Sequence, residues 1–383
     1  MNVYEGNYTI NMYGTTDDDY ALFNVSRDVL PEADGWRTVN VTGNESVYEW
    51  WYFDMTLSDG AVITGTLSPY PNDGFVPGDA TAGGYANFSY EKDGITRNEK
   101  VSFLFSEFSA AIDKLEVHAG PVTMAGDLNS LTIIGDVNGI SLNVTFEQMA
   151  VPFRPGNGYV VVGSKSLDDW RGWFCAMPKG QVTGTLSLDG EEPQQITGIG
   201  YHDHNYGTVT AAEGTVGWLW AKVDTGRYVS LAVRMKYRQE FDGEIVNKVL
   251  WIYDYQDKKE VLRSIDGNGI TVSEAVFASH PDPLHGGGYP TQTTYQYWVN
   301  NDKASVIFND TSVLYGYLPY DVTDIETQQF LEDHGTNGLY YTRRNSEVEL
   351  KFDIQSIGLV GSGTGVSLHE LQESYFPQYI SDK

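Results

Sequence analysis

Two stretches of the chain gather the side chains best suited to chemistry: Glu49-Trp50-Trp51-Tyr52-Phe53-Asp54 and Gly200-Tyr201-His202-Asp203-His204-Asn205-Tyr206-Gly207. On a β-strand alternate residues face one side. His202, His204 and Tyr206 then share one face, and Tyr201, Asp203 and Asn205 share the other. Histidine titrates near neutral pH, so His204, tuned by Asp203 or a neighbouring carboxylate, has the chemistry of a general acid or base. The same residue types also make a buried polar knot that fastens backbone. Residue types alone leave both readings open. No third ligand stands at a zinc-like spacing, and there is no Cys pair or His-Glu-x-x-His helix, so no metal is expected.

The Glu49-to-Asp54 stretch sets four aromatic rings between two carboxylates. A strand that covers one core needs one apolar face only. Its second aromatic face must meet another layer, a domain partner or a ligand. A carboxylate against indole rings is a group whose proton affinity rises, which makes Glu49 an acid candidate alongside His204, Asp203 and Tyr206. Trp50, Trp51, Tyr52, Tyr201 and His202 are candidate walls of a binding site, with ordinary packing as the alternative. Trp218 and Trp220 share a strand face and join them as candidates, in a barrel interior or in a core. Rigid π surfaces suit the folding of a flexible polyene and the stabilisation of delocalised positive charge. There is no Gly-x-Ser-x-Gly elbow, no P-loop and no dinucleotide fingerprint, and no cofactor is expected.

The elements that must position these residues are strands. Short runs rich in β-branched and aromatic residues, such as Val62–Leu67, Leu131–Ile134, Ser141–Phe146, Gln181–Leu186, Tyr228–Val233, Val249–Tyr253 and Glu347–Phe352, recur along the chain. Asp59-Gly60, Asp93-Gly94, Asn138-Gly139, Asp189-Gly190 and Asp242-Gly243 stand between such runs and supply the positive φ of tight hairpins. This pattern predicts an all-β chain of sandwiches or barrels. One helix is expected over Asp321–His334, followed by Gly335, and a second short one over Ser367–Glu373. With 383 residues, two domains are expected: residues 1–208 and residues 209–383, the seam following the histidine motif.

Composition narrows the partners. The net charge of −28 repels phosphate backbones and anionic membrane surfaces, and no basic stripe offsets it. No apolar run is long enough for a membrane helix. Cys175, the one cysteine, sits in an apolar setting that predicts a buried inert thiol. Seven Asn-x-Ser/Thr sequons occur, at Asn7, Asn24, Asn40, Asn44, Asn87, Asn143 and Asn309, against about three from composition. The polar first ten residues lack the apolar segment of a signal peptide. The sequon excess nevertheless points to a glycoprotein of the secretory pathway or extracellular space, its signal peptide already removed, over a cytoplasmic one. A hydrophobic small molecule is the expected partner, with a homodimer left open.

The two motifs, their order and spacing, the Trp218-Leu219-Trp220 strand and the Pro152-Phe153-Arg154-Pro155-Gly156 segment resemble the superfamily of carotenoid 1,2-hydratases, AttH-like proteins and lipocalin-fold Diels–Alderases. The likeness covers about residues 45 to 235. It implies an N-terminal β-sandwich, a C-terminal lipocalin-like β-barrel and a pocket for a large apolar molecule. The hydratases' His-x-Trp pattern maps onto His204-Asn205-Tyr206, with Tyr206 in place of Trp. Their downstream Tyr-x-Asp has no aspartate counterpart in Tyr228–Val233. These departures favour the pericyclase branch, which folds a polyene, terpenoid or polyketide substrate into a reactive conformer. An isoprenoid hydratase and a non-catalytic lipophilic carrier are the alternatives.

Overall fold

The computed structural model describes residues 13–71, 77–79, 81–162, 169–237, 246–279, 288–318, 325–333 and 339–374. Its chain divides into two units, Met1–Thr210 and Ala211–Lys383. Both are built from antiparallel strands, and the all-β expectation is met with few short helices.

In the first unit the strands are β1 (Tyr48–Leu57), β2 (Val62–Ser68), β3 (Gly84–Lys92), β4 (Ile95–Phe103), β5 (Phe108–Ala110) and β6 (Glu116–Ala119). They continue as β7 (Val122–Gly126), β8 (Ser130–Val137), β9 (Ile140–Gln148), β10 (Tyr159–Val161), β11 (Trp170–Leu188) and β12 (Gln194–Gly207). They form one sheet in the order β4-β3-β2-β1-β12-β11-β9-β8-β7-β6-β5, with β10 paired to β11. The sheet curls until β3 and β4 lie against β8, and Phe53, Phe88, Val117, Met124, Ile133, Val144 and Phe146 fill the interior. Aspartate or asparagine followed by glycine, both at positive φ, turns β3 into β4 at Asp93-Gly94, β8 into β9 at Asn138-Gly139 and β11 into β12 at Asp189-Gly190.

The second unit holds β13 (Thr215–Asp224), β14 (Tyr228–Tyr237), β15 (Val246–Asp254), β16 (Lys259–Ser264) and β17 (Ile270–Ser279). β18 (Gly288–Val299), β19 (Asp302–Tyr317), β20 (Leu339–Ile354) and β21 (Leu359–Ser374) complete it. Their order is β16-β15-β14-β13-β21-β20-β19-β18-β17. The far end of the sheet returns to its start, where the Lys248 ammonium on β15 donates to the Ile270 carbonyl on β17 at 3.1 Å. Ala221, Leu250, Ile252, Val306, Leu350 and Phe352 pack the interior.

Two expectations change. Ser367–Glu373 is not a helix: it lies within β21, paired on both sides with β13 and β20, because cross-strand partners override a weak local propensity. Trp218 and Trp220 share a face, but it is opposite the one on which Ala221 and Val223 join the interior core, so neither lines the barrel interior. The helix of the 321–334 stretch is Ile325–Asp333, the rest of that stretch lying outside the described residues. Asn7 and Asp242-Gly243 also lie outside them. Cys175 is buried.

Candidate functional site

Register brings the two motifs together. β1 and β12 are hydrogen-bonded neighbours, with Glu49 opposite Tyr206, Trp51 opposite His204, Tyr52 opposite Asp203 and Phe53 opposite His202. Alternation then sorts the motif residues onto two faces. Glu49, Trp51, Phe53, His202, His204 and Tyr206 point into the first unit's interior. Trp50, Tyr52, Asp54, Tyr201, Asp203 and Asn205 occupy the opposite face.

The inner group is a closed network. His204 Nε2 lies 2.7 Å from Glu49 Oε1, and the other Glu49 contacts come from the backbone N–H groups of Arg37 and Thr38, each at 2.8 Å. The Thr38 hydroxyl also donates to Glu49 and meets the Tyr70 hydroxyl at 2.8 Å. Both carboxylate oxygens therefore accept, and the hydrogen between Glu49 and His204 sits on Nε2. The His204 ring stacks on Trp51, centroids 4.5 Å apart and planes 17° from parallel, and packs at 4.8 Å from the Tyr206 ring. Gly172 on β11 makes room for Tyr206, since a Cβ there would come within 2.0 Å of its ring. Burial pushes the Tyr206 hydroxyl well above its ordinary range and Tyr70 up to about 12, so both are held as donors.

His202 belongs to the same network. Its Nδ1 donates to the Tyr52 carbonyl at 2.7 Å, and its Nε2 is 2.9 Å from Asp34 Oδ2. Asp34 ends the helical turn Pro31–Asp34, which the Trp51 indole N–H fixes by donating to the Asp34 carbonyl at 3.0 Å. Burial opposes a charge on His202, but the Asp34 carboxylate and the Tyr52 carbonyl outweigh it and raise its proton affinity. The second Asp34 oxygen lies 3.6 Å from His204 Nδ1, and neither atom has a hydrogen-bond partner. Asp34, Glu49, His202 and His204 are all at most 2% exposed. Among the described residues no group of three or more His, Cys, Asp or Glu is arranged to hold a metal ion.

The outer face differs in kind. Asp203 accepts from the Trp173 indole N–H at 2.8 Å, the Tyr201 hydroxyl at 2.7 Å and the Asn205 amide at 2.9 Å. Beside it the Tyr52 hydroxyl donates to Asp54 at 3.3 Å, and Trp50 stacks on Tyr48 at 5.0 Å. Trp50, Tyr52 and Asn205 are half-buried, whereas Tyr201 and Asp203 are buried. This is a platform of rings carrying a fixed carboxylate and a primary amide.

The structure thus joins His204, Glu49 and Tyr206 and separates them from Asp203. Of the proposed wall residues, Trp50, Tyr52 and Tyr201 lie on the outer platform, while Trp51 and His202 are sealed inside. Trp218 and Trp220 are in the second unit. Sequence reasoning missed Asp34, Thr38 and Tyr70, which a single helical turn and loops deliver with no chemical signature. It also gave no catalytic or binding role to Trp173 or to Asn205, which it counted only in a polar knot, although alternation sets Asn205 on the Asp203 face.

No family model matches the chain. Hydroxyneurosporene dehydrogenase of Chlorobaculum tepidum is 27% identical over 240 residues, which cover 53% of this chain and 59% of that protein. The chain therefore matches less than two thirds of that relative's length. The crystal structure of CghA with Sch210972 superposes with a TM-score of 0.59 at 13% identity, covering 96% of this chain and 98% of that one. A putative AttH from Nitrosomonas europaea gives 0.56 at 13% identity, covering 86% and 93%. At such identities the likeness is one of fold. The lipocalin-like fold expected from the two motifs is met. Among the described residues no helix is long and apolar enough to cross a membrane, which leaves strands unaddressed.

Proposed function

We propose that the protein is a pericyclase that folds a long apolar polyene against the outer platform of β1 and β12 and closes its ring without an acid–base step. The observation that carries this reading is Asn205. One of its two amide N–H groups is committed to Asp203, whose carboxylate polarises it, and the side chain is half-buried among rings. The second N–H is a donor for the carbonyl of an electron-poor alkene. Such a bond draws electron density from the alkene and speeds attack by a diene. Trp50 and Tyr52 would hold the chain bent, and bringing reacting ends together can supply about 7–11 kcal/mol of a barrier. Two carbon–carbon bonds form from π electrons, and no proton or water enters or leaves. On this reading Asn205 is the catalytic residue and Asp203 its positioning residue.

A hydro-lyase acting on an isoprenoid is the second reading; the 27% identity to hydroxyneurosporene dehydrogenase supports its substrate class and not its reaction. It needs a proton donor that reaches substrate. His204 has no exposure and spends Nε2 on Glu49, which weighs against it.

A linear polyene bearing a conjugated carbonyl, incubated with the full chain in heavy-oxygen water, separates the readings. Cycloaddition yields an unlabelled isomer, and Asn205→Leu should slow it by about tenfold to a hundredfold. A labelled product heavier by one water would establish the hydro-lyase. Stoichiometric binding with unchanged polyene would establish a carrier.

A further inference from the structure

The interior of the second unit holds polar groups that the outer platform does not use. Register sets His369 on the inner face of β21, opposite Arg344 on β20 and Ala221 on β13, and Arg234 on the same face of β14. From the other arm of the sheet, Thr293 on β18 stands between Glu274 on β17 and Phe308 on β19, and Asp310 pairs with Ser346. Arg234 is ion-paired with Glu274, and Arg344 with Asp310. Asp310 also accepts from the Ser346 hydroxyl at 2.5 Å and from His369 Nδ1 at 3.1 Å. The Phe308 ring lies 5.0 Å from that of His369 and 5.9 Å from that of Tyr295. Side chains of six strands thus converge beside the apolar layer of Val306 and Leu350.

Arg234 Nε, Thr293 Oγ, Tyr295 Oη and His369 Nε2 are buried here with no hydrogen-bond partner. Their residues are 6%, 1%, 0% and 0% exposed. A polar atom that loses its hydration without gaining a partner destabilises the fold, so several such atoms on one inner face, with the Arg234 charge felt by both Tyr295 and His369, mark a place for a ligand. The atoms are chemically uneven. Arg234 Nε only donates, and the two hydroxyls give or take. His369, its Nδ1 hydrogen turned to Asp310, offers a bare lone pair at Nε2. Burial, with the Arg344 and Arg234 charges, holds His369 below its ordinary range despite Asp310.

We propose that this cluster binds the carboxyl end of an apolar monocarboxylic acid. Arg234, Thr293 and Tyr295 donate to the carboxylate oxygens, and His369 takes up a proton at Nε2. If the acid arrives protonated, its own proton moves to Nε2. If it arrives as carboxylate, the proton comes from solvent. In both cases a carboxylate and an imidazolium face each other and the cluster gains no net charge. The groups facing His369 are Asp310 from β19, Arg344 from β20, Arg234 from β14, Glu274 from β17 and Tyr295 from β18. Lys248 on β15 is turned to the Ile270 carbonyl. The two ion pairs cancel, so the incoming carboxylate is what makes His369 basic. This site lies in a different unit from the outer platform and stands independently of the pericyclase reading.

Calorimetric titration of the full chain with octanoate at neutral pH, in buffers of different ionisation heat, tests the proposal. Saturable binding with uptake of about one proton per acid is expected. His369→Gln should abolish the uptake. The isosteric Thr293→Val should weaken binding roughly tenfold and leave the uptake intact. No saturable heat from the unsubstituted protein, uptake that survives His369→Gln, or equal affinity for 1-octanol would overturn it. If His369→Gln does not fold, Thr293→Val decides: unchanged affinity there overturns it as well.

Discussion

His204 Nε2 lies 2.7 Å from Glu49 Oε1, and neither side chain has any solvent exposure. One residue earlier in the chain, Asp203 turns to the opposite face and collects three donors of its own. The histidine motif is therefore two devices on one strand. The inner one fastens β1, β12 and the turn at Asp34 to each other, and the outer one presents aromatic surface with an oriented amide.

Glu49→Gln tests the fastening role. The amide keeps the shape but loses the charge, and its NH2 would confront the N–H of Arg37 or Thr38. Leaving a buried hydrogen-bonding group without its partner costs about 1–3 kcal/mol. Urea unfolding followed by tryptophan fluorescence should show a loss of that size. A loss under about 1 kcal/mol would mean that the network does not hold the fold.

The two units should respond to pH in opposite directions. His202 has a raised folded-state value, so its contribution is full below its ordinary value of 6.5 and fades as pH rises through the raised one. His369 has a lowered value, so its contribution is full above 6.5 and fades as pH falls toward that lowered value. Hydrogen-exchange protection factors, which remove the base-catalysed rise of intrinsic exchange, should therefore fall in β12 on the alkaline side and in β21 on the acid side. The same direction in both strands would refute the assignment. His202→Asn should remove the alkaline limb alone.

The strands, the hairpin turns and the pairing of faces were legible because period-two alternation and Asp-Gly or Asn-Gly turns are local signals. The sorting of His202, His204 and Tyr206 from Tyr201, Asp203 and Asn205 followed from alternation. Which face would be interior did not, because both carry rings and polar groups. Asp34 and Thr38 were illegible for another reason. Asp34 reaches His202 from the end of a single helical turn and Thr38 reaches Glu49 from a loop, and in neither does a periodicity fix direction. Ser367–Glu373 misled because Leu368, Glu370, Leu371 and Glu373 suit a helix locally, while β13 and β20 on either side demand a strand.

Gly172 predicts a packing defect. A methyl group there meets the Tyr206 ring at 2.0 Å, and that ring is held between His204, Tyr159 and Trp170. Gly172→Ala should cost about 1–3 kcal/mol, the usual penalty of overpacking. The double substitution Gly172→Ala with Tyr206→Leu should recover part of it in the same unfolding assay.

The sequons divide by geometry. Asn24, Asn40 and Asn143 are exposed. The amides of Asn44, Asn87 and Asn309 are engaged with Thr208 and Ser46, with Asn98 and Glu99, and with Gln292. Chain routed through a eukaryotic secretory pathway should carry glycans on the first three and few on the second. Peptide mass spectrometry with site occupancy checks this, and full occupancy of Asn87 would contradict the described β3 pairing.

Trp50 and Trp51 are adjacent in sequence and opposite in role. Trp51 is fully buried, stacks on His204 and donates to the Asp34 carbonyl. Trp51→Ala should cost about 3–5 kcal/mol, as truncation of a buried aromatic does. Trp50 keeps part of its surface open on the outer platform and stacks on Tyr48. Trp50→Ala should leave the unfolding midpoint nearly unchanged while weakening the binding of a conjugated polyene, read by quenching of the remaining tryptophans. If Trp50→Ala binds polyene as the unsubstituted protein does, the outer platform is not the wall of the site. The aromatic run would then be packing on both faces.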